Sequence, residues 1–89
     1  MKWRIELDPV ADKELDRLDP TVARRILRFL FERLATLDDP RAIGEALQGP
    51  RLGEFWKYRV GDYRIIARIE DDRVRILVVR IGHRGAIYR

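Results

Sequence analysis

The residue pattern between Glu54 and Arg89 leaves this chain few folds to choose from. Apolar and polar residues alternate through Trp56-Lys-Tyr-Arg-Val60 and again through Tyr63-Arg-Ile-Ile-Ala-Arg-Ile69, with Gly61-Asp62 between them. Gly-Asp between two alternating runs is a hairpin signal, because Gly supplies the positive φ of a type II′ turn. Asp71-Asp72 offers a second, weaker two-residue turn before the β-branched run that leads to Gly82. The expected result is a three-stranded meander.

Those turns set a register. Across the first, Val60 faces Tyr63, Arg59 faces Arg64, Tyr58 faces Ile65, Lys57 faces Ile66 and Trp56 faces Ala67. Across the second, Ile69 faces Val74, Ala67 faces Ile76, Ile66 faces Leu77 and Arg64 faces Val79. Since side chains alternate faces, one face collects Trp56, Tyr58, Val60, Tyr63, Ile65, Ala67, Ile69, Val74, Ile76 and Val78, which is a core. The other holds Lys57, Arg59, Arg64, Arg68 and Arg75 among Phe55, Ile66, Leu77, Val79 and Ile81. Like charges directly opposite destabilise a sheet, and no acidic residue in the middle of these strands offsets Arg59 and Arg64. A positive cluster on rigid strands suits a phosphate-bearing ligand; its plain alternative is a solvated basic face.

Upstream, Trp3, Ile5 and Leu7 alternate with Lys2, Arg4 and Glu6 as a half-buried strand. Asp8-Pro9 opens a short helix lined by Ala11, Leu15 and Leu18, since Asp accepts from free N–H groups at a cap and Pro suits the first helical position. Asp19-Pro20 opens a second, reaching about Leu37, with a stripe of Val22, Ile26, Leu30, Leu34 and Leu37 widened by Ala23, Leu27 and Phe31. Arg24, Arg25, Arg28 and Arg33 fall outside the stripe. Such a run either contacts RNA or is simply solvated. A third Asp-Pro at Asp39-Pro40 starts a loop or single turn, and Gly44, Gly49, Pro50 and Gly53 punctuate the stretch before the meander. The expected fold class is α+β, βααβββ, with a mostly antiparallel four-stranded sheet and two helices on one face.

Eighty-nine residues make one domain, spanning 1–89. A chain this short buries only about 60% of its unfolded surface, and without cysteine it has no covalent staple. No segment is apolar enough for a signal peptide or a membrane span. The formal net charge of +4 resides in the meander: residues 1–53 carry ten basic and ten acidic side chains, residues 54–89 nine against five. This asymmetry points to a nucleic-acid or acidic-protein partner at the meander.

The residue inventory excludes several chemistries. Cysteine and serine are absent, leaving only Thr21 and Thr36 as hydroxyl nucleophiles outside tyrosine. A single histidine rules out two-His zinc motifs, and no Gly-rich phosphate loop occurs. Lys, Arg, Tyr and His around one sheet face remain. That set can cleave RNA without a metal: cations stabilise the phosphorane, and a Lys, Tyr or His placed among them can transfer protons. His83, Arg84 and Tyr88 come after the last strand and can fold toward Arg59 and Arg64; otherwise His83 is a solvated strand end and Tyr88 a core edge.

Trp56-Lys-Tyr-Arg-Val-Gly-Asp-Tyr-Arg-Ile-Ile66, the acidic turn, the β-branched strand and the tail Gly82-His-Arg…Tyr88-Arg89 resemble the RelE toxins of the RelE/ParE superfamily, and the Leu47-Gln48-Gly49 loop also fits. The resemblance covers essentially the whole chain. It implies a cytoplasmic toxin of a type II toxin–antitoxin system that enters the ribosomal A site and cuts the mRNA there as a metal-independent endoribonuclease without cofactor, and that a cognate antitoxin neutralises. By motif match, Lys57 and Arg59 stand for the basic residues of the second strand, Arg64 for the third-strand arginine, and Arg84 and Tyr88 for the tail pair. The resemblance makes Arg64 and Arg84 phosphate stabilisers, Tyr88 or Lys57 the general base, and His83 or Arg84 the proton donor or charge stabiliser. Some relatives use a glutamate upstream of the second-strand Trp, which points to Glu45. Related tails often read Gly-His-Arg-Arg-Glu-aliphatic-Tyr, whereas this one has Gly85-Ala86, a loss of charge that brings attenuation into view. Two other readings are compatible with the same residues: a ParE-like inhibitor of DNA gyrase, and a weakened toxin that acts with its antitoxin in transcriptional autoregulation.

Overall fold

A computed structural model describes residues 2–48 and 55–85. The order is β1 (Arg4–Leu7), α1 (Pro9–Asp16), α2 (Pro20–Arg28), a π-helical turn (Phe29–Arg33), a 3-10 turn (Leu34–Thr36), a second 3-10 turn (Pro40–Ile43), β2 (Glu45–Ala46), β3 (Phe55–Val60), β4 (Tyr63–Glu70), a third 3-10 turn (Asp71–Arg73) and β5 (Arg75–His83). The strands form one five-stranded sheet ordered β1-β5-β4-β3-β2. β1 is parallel to β5 and every other pairing is antiparallel. The class is α+β as expected, with one strand more. Glu45 and Ala46, in the stretch read as a loop, pair with Lys57 and Trp56 as a short edge strand.

All three Asp-Pro signals start helical turns for the expected reason. Asp8 accepts from Ala11 N at 3.0 Å, Asp19 from Thr21 N at 2.8 Å and Asp39 from Arg41 N at 3.0 Å, while Pro at the first position needs no acceptor. The second helical run reaches Thr36, but as α, π and 3-10 segments in succession. In the π turn the Leu34 N–H reaches the Phe29 carbonyl as well as that of Leu30. This wider turn packs Phe29 against Tyr58, ring centroids 6.0 Å apart, and leaves Phe31, expected on the stripe, 38% exposed.

Helices and sheet share one core. Ala11 and Leu15 of α1, Ile26, Leu30 and Leu34 of the second run, and Tyr58, Val60, Ile65, Ala67, Ile76, Val78 and Ile81 of the sheet are buried in one cluster. Burying each of the large aliphatic side chains contributes about 2 kcal/mol. Among the described residues, no helix is long and apolar enough to cross a membrane.

The β3–β4 register is the one the Gly61-Asp62 turn sets, from Val60↔Tyr63 to Trp56↔Ala67, extended by Phe55↔Arg68. The β4–β5 register differs. Ile69 pairs with Ile76, Ala67 with Val78, Ile66 with Arg80 and Arg64 with Gly82. Two features cause the shift. The connection spans Asp71 to Val74, not two residues, and ends with Val74 in the left-handed region at φ 48°. The ladder is also irregular between Ile66 and Ala67, where Val79 has no partner on β4. One extra residue sends every later side chain to the opposite face. Ile81, expected on the basic face, is therefore in the core at 1% exposure.

Candidate functional site

The cations of β3 and β4 assemble by pairing alone. Arg59 lies opposite Arg64, and Lys57 opposite Ile66 on the same face. Arg59 is exposed. Arg64 is only 7% exposed, because its guanidinium turns back along the chain. Its Nη1 donates to the Tyr63 carbonyl at 3.2 Å and to the Gly61 carbonyl at 3.4 Å. Among the described residues it has no carboxylate partner. A buried charge held only by carbonyl dipoles is costly unless an anion compensates it. The centre of this face is not bare, since Ile66 too is 7% exposed.

Lys57 does meet an acid. Its Nζ lies 3.4 Å from Glu45 Oε2, brought there by the short edge strand in which Glu45 and Lys57 are paired. Sequence alternation within the meander shows no such neutralisation, because the carboxylate arrives from outside it. Arg75 is likewise occupied: its Nε donates to Glu70 at 2.6 Å and its Nη1 to Glu6 at 3.1 Å. Those hydrogen bonds, Glu70's first, hold its pKa above the usual guanidinium value.

The Gly61-Asp62 turn is the joint of the site. Gly61 has φ +59°, and a Cβ there would stand 2.9 Å from Arg25 Nη1. The positive φ calls for glycine, and the Arg25 guanidinium laid against the turn would have to shift to admit a Cβ. Asp62 O accepts from Arg84 N at 2.9 Å, which ties the start of the tail to the turn. Arg25, Arg59 and Arg64 therefore meet at this turn, and the backbone of Arg84 is tied to it. Sequence reasoning leaves Arg25 as one of four helix arginines that either contact RNA or are solvated; its place against the turn is visible only in the fold.

His83 does not join this group. It pairs with Tyr63, and the two rings meet edge to face with centroids 5.7 Å apart. Tyr63 packs on the helix-covered core, so His83 is on that side of the sheet and Arg64 is on the other. The irregularity at Val79 is the cause: without it, His83 would share a face with Arg64. Tyr88 lies outside the described residues.

Beside the sheet edge, between the π turn and β3, a cleft of about 480 Å³ is lined by Arg25, Arg28, Phe29, Arg33, Lys57 and Arg59, among others.

Known proteins give this geometry a family. The family model described as the ParE toxin of type II toxin–antitoxin system, parDE, matches residues 5–88. Toxin RelG of Mycobacterium tuberculosis (strain ATCC 25618 / H37Rv) is 29% identical over 89 residues, covering 100% of this chain and 99% of that protein. Toxin RelE of the same strain is 30% identical over 87 residues, covering 98% and 87%. The toxin–antitoxin complex RelBE2 of M. tuberculosis contains a chain that superposes with a TM-score of 0.84 at 25% identity, covering 96% of this chain and 94% of that one. Paired strands carrying Lys57, Arg59 and Arg64, the two-helix layer behind them, and a match over nearly the full length agree: this chain belongs to the ParE toxin family of type II toxin–antitoxin systems, within the RelE/ParE superfamily.

Proposed function

We propose that this toxin is a ribosome-dependent endoribonuclease that cuts mRNA in the A site, and that a cognate antitoxin restrains it. The observation that carries the reading is Arg64: a guanidinium 7% exposed, opposite Arg59 and near Lys57, without a carboxylate partner among the described residues. A phosphodiester bound there supplies the missing anion. In the reaction the ribose 2′-oxygen attacks the adjacent phosphorus, its proton goes to a base, the bond to the 5′-oxygen breaks, and that oxygen takes a proton from Arg84 or from water. The products are a 2′,3′-cyclic phosphate, or the 3′-phosphate from it, and a 5′-hydroxyl. Arg59, Arg64 and Arg84 stabilise the negative charge of the phosphorane. Lys57, ion-paired with Glu45, adds charge, and the base role passes to Tyr88. His83, turned against Tyr63, takes no part in the step. The ribosome supplies what the basic face alone lacks, an mRNA backbone held in the reactive geometry.

Mapping mRNA 5′ ends in a translation extract tests this. The wild type cuts at codon boundaries, and Arg64→Ala combined with Tyr88→Phe abolishes cutting. Unchanged cutting by the double variant removes the site assignment. Inhibited supercoiling by purified gyrase with intact mRNA moves the function to ParE-like inhibition. Attenuation by the tail is tested by Gly85→Arg. Among the described residues a Cβ at Gly85 would meet nothing closer than His83 Nδ1 at 4.0 Å, and cutting rises if the missing charge limits it.

A further inference from the structure

Arg25, Phe29 and Arg33 recur at every fourth residue along the second helical run, so they share one stripe, and this stripe faces β3 across the cleft. Two of the cleft's cations have acidic neighbours: Arg28 lies 3.7 Å from Glu32, and Lys57 3.4 Å from Glu45. Among the described residues, Arg25, Arg33 and Arg59 have no ion-pair partner, and all three are exposed. Part of the apolar lining is committed inward, while Ile43 stays 36% exposed at the cleft. Phe29 packs on Tyr58 and Val60 is 7% exposed, so the cleft presents guanidinium tips over a low-dielectric floor, an arrangement that focuses positive potential. It is also continuous with the site. Arg59 belongs to both surfaces, and the turn on which Arg25 rests is the one whose Gly61 carbonyl holds Arg64.

We propose that this cleft is a backbone track for the RNA strand flanking the scissile phosphate, with Arg59 as the junction and Arg25 and Arg33 as the phosphate contacts beyond it. The inference rests on the RNA-cleaving reading above and adds a second contact surface, contributed by the helical layer. A strand whose phosphate lies on Arg64 leaves the sheet face over Arg59 and meets the cleft next. A polymer with one charge per residue suits separate guanidiniums without ion-pair partners among the described residues, whereas an acidic protein segment would find Ile43 as the one exposed large apolar side chain among the described lining residues.

The test is binding, kept apart from cleavage. A short single-stranded oligoribonucleotide with 2′-O-methyl riboses, which cannot be cut, is titrated by fluorescence anisotropy against the full-length toxin over a range of salt concentrations. Arg25→Ala with Arg33→Ala is expected to weaken binding about 20-fold at 0.1 M salt and to make the salt slope shallower by about 1.4, at about 0.7 for each phosphate no longer neutralised. Arg17→Ala with Arg24→Ala, which removes equal charge from exposed positions outside the cleft, leaves the slope unchanged. Arg33→Ala alone, which does not touch the Gly61 turn, gives half the slope change and guards against disturbance of the turn by the Arg25 variant. No measurable binding by the wild type, equal weakening in the control pair, or tighter binding of a poly-glutamate peptide than of the oligonucleotide overturns the track. Cleft-dependent binding without mRNA cutting in the extract sinks the nuclease reading and leaves the track. Normal cutting with no effect of the cleft variants does the reverse.

Discussion

Individual residues carry strain and fit that make separate predictions. Val74 adopts φ 48°, a conformation that costs a β-branched residue about 1–2 kcal/mol. Its backbone is nonetheless committed, since its carbonyl accepts from Arg4 N at 2.9 Å and so ties the β4–β5 connection to β1. Its side chain is 46% exposed and contributes little packing. Val74→Gly is therefore expected to stabilise by about 1 kcal/mol, raising the melting temperature by about 4–8 °C; calorimetry decides it, and a lowered midpoint would show that the strain is imaginary. Gly61→Ala has the opposite sign. It imposes a Cβ on φ +59° and drives it against Arg25, so a loss of about 1 kcal/mol is expected from the backbone alone. Arg64 shows what one position discloses unaided. Its place opposite Arg59 is legible from alternation, but its burial is not, because that depends on carbonyls that only the folded turn brings near.

At the scale of elements, the decisive feature is the second half of β5. β1 ends at Leu7, paired with Val78, and beyond that point the β5 edge has lost its strand partner. Glu14 of α1 replaces it. Its carboxylate accepts from Ile81 N at 2.9 Å and from Arg80 Nε at 3.1 Å. A helix side chain thus continues the ladder past the irregularity at Val79 and holds the segment that leads to Gly82 and Arg84. Glu14→Ala is expected to expose the Ile81 amide to hydrogen exchange, at a cost of about 1–3 kcal/mol, while Ile76 keeps its protection. Glu14→Gln, which retains an acceptor, should restore most of it. Equal protection in both variants would mean that packing, not this carboxylate, fixes the strand. Nothing in the spacing of Glu14 and Arg80 announces the contact, as 66 residues separate them.

For the molecule as a whole, ionisable groups join distant segments and set the pH range of stability. Asp38 is held below the usual carboxylate range by its hydrogen bond from Lys2, Asp71 by that from Arg41, and Glu70 by that from Arg75. Depressed carboxylates stabilise the fold above their unfolded values, near pH 4, and lose that effect as pH falls through their folded values. Asp38 and Asp71 are exposed and Glu70 is half-buried, so salt should weaken the part of this acid limb that the two aspartates contribute. Tyr58 sets the other limit. It is buried, its hydroxyl donates to the Pro40 carbonyl at 2.8 Å, and burial pushes its pKa up. Its contribution is full below about pH 10, the unfolded value, and is lost as pH rises toward the folded one. Denaturant titrations across pH should show a plateau between these limits, and Tyr58→Phe should flatten the alkaline side; an unaltered alkaline limb would assign it to other groups. By itself, the sequence determined what depends on near neighbours: the Asp-Pro helix starts, the Gly61-Asp62 hairpin with its register, the α+β class and the pairing of Arg59 with Arg64. Only the tertiary structure decided the edge strand that brings Glu45 to Lys57, the shifted β5 that turns His83 away from the basic face, and the approach of Arg25 to the turn. Turn chemistry and alternation are local and repeat every few residues. A bulge, a helix carboxylate completing a strand edge, or a guanidinium resting on a distant glycine depends on how the layers stack, and so exists only once they have.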